Sequence, residues 1–386
     1  MSFTDPLPWF AICALSLAIG AAVTLFSSFY RARLAESAAG RFETLDGLRG
    51  VLARGVFGVH AVNMYTWHAD GVWAAGSAPF YLFAAKTGVA LFFMITGFLF
   101  WLRVLRAGVA FDWRAFYVSR LRRLTPMYAA SVALALGVIW AASGFAPHEG
   151  LVSLAKEVRP WLSFGFMDTG DVNGLEGARY VNAVYWTLAY EWMFYLALPF
   201  LALFAGRPWG VALAAAVLLF GSQASVVWNF LFGAATALIV HRRLLEGRAG
   251  APWLGAVALA ALAAAYAMRD AHPMVPTLLL FVFFVLVVHG CSLFGLLRSR
   301  PAKILGTVSY SLYLVHCIVL FAAVHTADRV APMASLSPSQ YWLLALAACA
   351  GAVTLSVFTY RYIEYPFIGA PKAARAAAPA VRAQAT

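Results

Sequence analysis

Apolar residues run through this chain in long blocks broken by short polar interruptions, with neither the period-two alternation of a half-buried strand nor the narrow stripe of a surface helix. Blocks of about 17–25 apolar residues match the length a helix needs to cross a bilayer. They predict a leader segment at 7–30 and ten more near 48–67, 81–102, 126–143, 183–205, 209–223, 226–240, 252–268, 274–296, 304–325 and 340–360. About eleven crossings follow. The stretch 209–240, interrupted only at Gly221 to Ser225, also reads as one long helix with a re-entrant piece.

The polar interruptions set an orientation, because loops facing the cytoplasm collect Lys and Arg. With the N-terminus outside, 20 of the 28 basic residues fall in inner loops, among them Arg103, Arg106, Arg114, Arg120, Arg122 and Arg123. Lys156, Arg159, Arg179, Arg269 and Arg329 fall outside, and Arg49, Arg54 and Lys86 lie in or near the membrane. Positive charges follow the leader's apolar run rather than preceding it, so it reads as an N-out anchor and not a signal peptide. Phe111 to Thr125 mixes aromatics with four arginines, the composition of a helix lying along the cytoplasmic interface. The outer loop 144–182 carries Glu149, Glu157, Asp168, Asp171 and Glu176 and is expected to line a vestibule. A division follows into an N-terminal helix and linker (1–40), a membrane domain (41–368) and a disordered cytoplasmic tail (369–386).

Composition agrees: 63% of the residues are hydrophobic and 11% charged, against about 25% charged in soluble domains. A water-soluble globular protein is excluded. The net charge of +12 sits in short clusters between apolar runs, so it argues for inner loops rather than nucleic acid. Cys13, Cys291, Cys317 and Cys349 lie in apolar stretches without C-x-x-C spacing, which predicts packing thiols and no metal site.

Ionisable residues at membrane depth are costly and mark function. Arg49 and His60 stand eleven residues apart in LDGLRGVLARGVFGVH, so they share a helix face to within about 20° and lie about 16 Å apart along its axis. Counted from the outer ends of their segments, His60 lies roughly 10 Å deep, Glu191 roughly 12 Å, His316 roughly 13 Å and Lys86 roughly 8 Å. All four are expected to converge on one layer. Plainer readings exist, since a membrane histidine often only hydrogen-bonds a neighbouring helix, and Glu191 with Lys86 would make a structural ion pair. Cys317 points about 100° away from His316 on a helix, which argues against a Cys–His pair.

Six motifs carry a family resemblance: RFETLDGLRG with Arg49-x10-His60, GVALFFMITGFLF at 88–100, FYVSRLRRLTPMY at 116–128, YWTLAYEWMFYLALP at 185–199, SYSLYLVH at 309–316 and YRYIEYPF at 360–367. In that order they resemble the membrane acyltransferase-3 family, the integral-membrane O-acyltransferases that modify bacterial surface and secreted glycans. The resemblance covers about residues 41–368. It implies a ten-helix core, acyl-CoA as a donor from the cytoplasm, and His60 as the catalytic histidine. Ala90 and Thr96 depart from the Asp and Ser common at those positions, the leader segment is additional, and no esterase-like domain is expected after the last helix.

The expectation is therefore an all-α bundle in the bacterial inner membrane, with a cytoplasmic C-terminus. It would transfer an acetyl or other short acyl group from acetyl-CoA or another acyl-CoA to a hydroxyl of an extracytoplasmic glycan or lipid-linked sugar. His60 is the expected general base, oriented or charge-stabilised by Glu191. Arg49, Arg120, Arg122 and Arg123 are expected to hold the CoA phosphates, and Asp46, Tyr195, His316 and Lys86 complete the substrate-binding set. Membrane lipids are the expected surroundings, with no bound cofactor and no nucleic-acid partner. The rival is a transporter or flippase using the same charged layer, against which stand the arginine-rich inner patch, the absence of an internal repeat and the six motifs.

Overall fold

The computed structural model describes residues 2–38, 42–75, 78–203, 225–245 and 253–368. Among them are thirteen α-helices and no strands: α1 (Leu7–Phe26), α2 (Ser28–Ala38), α3 (Glu43–Asp70), α4 (Pro79–Ala107), α5 (Trp113–Ala142), α6 (Leu151–Val158), α7 (Trp186–Leu203), α8 (Ser225–His241), α9 (Trp253–Ala267), α10 (Met274–Val288), α11 (Arg300–Thr307), α12 (Ser309–Asp328) and α13 (Pro338–Thr359). Six helical stretches are long and apolar enough to cross a membrane: 7–26, 79–110, 113–142, 186–203, 309–328 and 338–368. The chain is a polytopic all-α membrane protein. The expected segment at 209–223, Arg207 and the tail from Gly369 lie outside the described residues.

Helix α3 organises the bundle. Glu43 and Asp46 occupy its first turn, where acids complement the helix dipole, and Gly71 ends it at φ 71° with its N–H returned to the Thr66 and Trp67 carbonyls. Its 28 residues span about 42 Å. A helix with this many charges would be expensive facing lipid, but α3 is enclosed by α1, α4, α11, α12 and α13, and most of Thr44 to Met64 is buried.

Small residues permit that enclosure. A Cβ at Gly306 would run into the Asp46 carbonyl, and one at Gly50 into the Ala302 carbonyl, so α3 and α11 approach backbone to backbone. Lys303 pairs with Glu43 across the same contact. Gly306→Ala is expected to lower the unfolding free energy by about 1–3 kcal/mol through overpacking. Thermal unfolding in detergent checks this, and an unchanged midpoint would mean that the helices part without cost.

Four expected segments take a different form. Residues 111–125 and 126–143, anticipated as an interfacial helix and a separate span, are one continuous helix, α5, running through Pro126. Asp112 caps it by accepting from the Ala115 N–H at 2.8 Å, and its arginines are divided between an internal cavity and the surface. The stretch 304–325 breaks at Val308 into α11 and α12, because Ser299 starts a short helix of its own that docks on α3. Helix α13 continues into a π-helical turn at Tyr360–Glu364, where the extra residue re-aims the side chains that follow.

The loop 144–182 folds back onto the bundle. Tyr128 donates to the Trp161 carbonyl at 2.7 Å, Asn182 donates to the Leu314 carbonyl at 2.8 Å, and Tyr180 stacks on Trp73 at 4.1 Å. Asp168, Asp171 and Glu176 are exposed, and Glu157 accepts from the Asn173 N–H within the loop.

Candidate functional site

Two polar clusters lie along the α3 face that carries Arg49 and His60. The first surrounds a cavity of about 470 Å³ whose lining includes Arg49 from α3, Arg103 from α4, Arg120 and Arg123 from α5, Glu191 and Tyr195 from α7, and Tyr310 and Tyr313 from α12. Arg120 and Arg103 lie 4.8 and 5.4 Å from the Phe100 ring centre, so one aromatic ring supports two guanidiniums. Arg123 pairs with Glu364 at 2.5 Å, and Ser311 donates to the other Glu364 oxygen at 2.8 Å. Glu191 accepts a hydrogen bond from the Tyr195 hydroxyl and faces Arg49 and Arg123.

Four guanidiniums therefore meet two carboxylates, leaving an excess of positive charge in a half-buried space. The Nε atoms of Arg49 and Arg120 are buried without a hydrogen-bond partner, as are few other charged donors among the described residues. Buried donors go unpaired at a cost of about 1–3 kcal/mol each, so this surface is suited to an anion with several acceptor oxygens, such as a phosphate or diphosphate.

The second cluster lies further along α3. His60 Nδ1 is 3.0 Å from His316 Nε2, and the two rings stack at 5.2 Å. His316 Nδ1 also lies 3.1 Å from the Leu312 carbonyl and 2.9 Å from that of Tyr313. Carbonyls only accept, so the network assigns the His316 proton to Nδ1 and a lone pair to Nε2. His60 then donates from Nδ1, and its own lone pair is left on Nε2. His60 is 8% exposed and His316 1%. Cys317 Sγ lies 2.9 Å from His60 Nδ1 and 3.5 Å from His316 Nε2.

Between the clusters, the Thr187 and Tyr313 hydroxyls meet at 2.9 Å, and the Tyr313 ring lies 6.0 Å from His316. Both residues line the cavity, so this pair separates the arginine-lined space from the histidines.

Of the four residues expected at one depth, two meet in the plane. His60 and His316 meet, but Lys86 is exposed and pairs with nothing in the cluster. Glu191 belongs with the arginines, one cluster away from its expected partners His60 and Lys86. Of the expected phosphate ligands, Arg49, Arg120 and Arg123 line the cavity while Arg122 faces outward. Tyr195 lines it too, and Asp46 lies one turn before Arg49 without reaching the lining.

Three contributors escaped the sequence reading. Arg103 reads in the sequence only as a loop charge. Glu364, 1% exposed, is a buried acid that joins the half-buried Glu191, and its sequence signal is a lone carboxylate at the end of an apolar stretch opposite a basic segment. Cys317 diverges from its own neighbour His316 around the helix, whereas the imidazole it approaches most closely comes from α3.

The Arg123–Glu364 pair gives a stability test. Arg123→Ala is expected to cost about 3–5 kcal/mol by leaving a buried carboxylate unpaired, and Arg123→Met with Glu364→Gln to recover most of it. Detergent unfolding of both variants measures this, and equal loss in the double variant would mean that packing, not charge, sets the cost.

The acyltransferase domain family model matches residues 42–361. Nodulation protein 10 of Rhizobium leguminosarum bv. viciae is 27% identical over 372 residues, which cover 86% of this chain and 94% of that protein. No solved structure matches the chain.

Proposed function

The chain belongs to the acyltransferase-3 family and is a multi-pass membrane acyltransferase, and from that premise we propose that it moves an acetyl or short acyl group from acyl-CoA to a hydroxyl of an extracytoplasmic glycan or lipid-linked sugar. The observation that carries the donor is the cavity with four arginines against two carboxylates. Its guanidiniums suit the phosphates of CoA, and Arg49, Arg103, Arg120 and Arg123 are the proposed phosphate ligands.

Arg49 to His60 is about 16 Å along α3, roughly the length of an extended pantetheine arm. The arm would run from the arginines past Thr187 and Tyr313, whose hydroxyl contact must open to let the thioester reach His60. His60 Nε2 takes the proton of the attacking hydroxyl, the oxygen attacks the thioester carbonyl, the C–S bond breaks, and the leaving CoA thiolate takes that proton from His60, restoring the neutral base. His316 is a positioning residue that holds the His60 proton on Nδ1 and so leaves Nε2 free. Glu191 is assigned to the donor cavity, orienting Tyr195 and balancing Arg49 and Arg123. The positive-inside pattern supports placing the arginine-rich end in the cytoplasm of the bacterial inner membrane, with the N-terminus outside.

Acyl-CoA consumption tests the proposal. Purified protein in vesicles, given acetyl-CoA and a delipidated or lipid-linked glycan fraction, is expected to release free CoA thiol in step with ester formed on the glycan. Glycan movement without thiol release would replace this reading with a transporter.

A further inference from the structure

The His60–His316–Cys317 cluster has a geometry that proton transfer does not require. Their donor atoms, Nδ1, Nε2 and Sγ, all lie within 4.8 Å of one another, come from two helices, and are all buried. A zinc ion bound tetrahedrally at about 2.05 Å from nitrogen and 2.3 Å from sulfur needs roughly 3.3 Å between two nitrogens and 3.6 Å between nitrogen and sulfur. The observed separations are 3.0 Å between the nitrogens, and 2.9 and 3.5 Å from sulfur to each. Reaching the zinc geometry takes about 0.3 Å more between the nitrogens and about 0.7 Å more between Cys317 Sγ and His60 Nδ1, within the reach of side-chain rotation.

The surroundings favour a metal further. A ligating imidazole usually donates its other N–H to a carbonyl, fixing the ring and leaving the coordinating lone pair free. His316 is held in that way by the Leu312 and Tyr313 carbonyls. Two imidazoles and a thiolate are the donors that borderline-soft ions choose, whereas Mg²⁺ and Ca²⁺ require oxygen, and no carboxylate is among these three ligands. The thiolate would cancel one of the two zinc charges, reducing the cost of a cation at this depth.

We propose that His60, His316 and Cys317 form a binding site for one Zn²⁺, and that its occupancy switches the enzyme off. Zinc takes the lone pair of His60 Nδ1 and the Cys317 thiol releases its proton. A neutral His60 ring must then carry its proton on Nε2, the atom that has to be unprotonated to accept the hydroxyl proton. Metal binding and base catalysis therefore exclude each other. The binding stands independently of the proposed reaction, while the inhibition rests on His60 being its base.

Two readouts keep these apart. Metal-free protein titrated with Co²⁺ is expected to bind one equivalent with a sulfur-to-cobalt charge-transfer band, which Zn²⁺ displaces. Cys317→Ser is expected to abolish the band, and His316→Ala to weaken binding by at least about 100-fold, because even an outer partner of a metal ligand is worth about 10–100-fold. Where Cys317→Ser fails to fold, Zn²⁺ protection of Cys317 from alkylation in the wild-type chain, read by peptide mass spectrometry, replaces it. In the thiol-release assay Zn²⁺ is expected to lower the wild-type rate at least tenfold and a chelator to restore it. Cys317→Ser, normalised to its own metal-free rate, should need at least about 100-fold more Zn²⁺ for the same inhibition. No cobalt band, or a band and protection that ignore Cys317, would overturn the site. Stoichiometric binding with undiminished transfer would leave the site standing and overturn His60 as the base.

Discussion

His60→Ala is expected to lower acyl transfer by about 10²–10⁴-fold, the range that a positioned general base contributes. Because alanine also removes buried volume, His60→Gln is its companion, keeping bulk and polarity without a group that accepts a proton near neutral pH. Both variants should bind acyl-CoA with unchanged affinity, since the arginine cavity lies on the far side of the Thr187–Tyr313 contact. His316→Phe keeps a ring but withdraws the lone pair that holds the His60 proton on Nδ1, and should cut kcat at least about tenfold with the acyl-CoA KM unchanged. Thiol release at saturating donor measures all three. Transfer by His60→Gln above a few per cent of wild type would remove the base assignment, and a His316→Phe effect confined to KM would remove its positioning role.

Arg49→Ala and Arg120→Ala are each expected to raise the acyl-CoA KM by roughly 10–100-fold, because a charge-assisted hydrogen bond to phosphate contributes about 1.5–3 kcal/mol. Both residues line the cavity and each has a buried, unpartnered Nε. Arg122→Ala should change the same constant by less than about twofold, since an exposed guanidinium contributes little. Arg120 and Arg122 sit two residues apart on one helix, so a general loss of positive charge would affect them equally. Initial rates against donor concentration decide it. Equal effects at Arg120 and Arg122 would mean that the surface field, and not the cavity, attracts the donor, and an effect on the acceptor KM alone would put the donor elsewhere.

Glu191 illustrates how depth can mislead. Counting residues from the expected segment ends places it level with His60, but α3 runs on to Asp70 and α7 starts at Trp186, so His60 lies about 15 Å and Glu191 about 7.5 Å from the outer ends of the helices that form. Depth has no angular information, however, and Glu191 faces the arginines while His60 faces His316. Lys86 failed for the same reason, as its helix turns it outward. Arg122 was grouped with Arg120 and Arg123 because they share a motif, yet successive residues differ by about 100° around a helix, and α5 presents only two of the three to the cavity.

The sequence by itself determined the membrane class, the helical architecture and the shared face of Arg49 and His60, because each follows from one short-range quantity: apolar run length against bilayer thickness, or 3.6-residue periodicity within one helix. The tertiary structure alone decided which side chains meet across helices. The His60–His316 contact spans 256 residues of chain, Cys317 joins His60 across 257, and Glu364 reaches Arg123 through a π-helical turn. Such contacts depend on how each helix is rotated and how closely it packs. Backbone approach at Gly50 and Gly306 sets part of that packing, and no periodicity within a single segment records it.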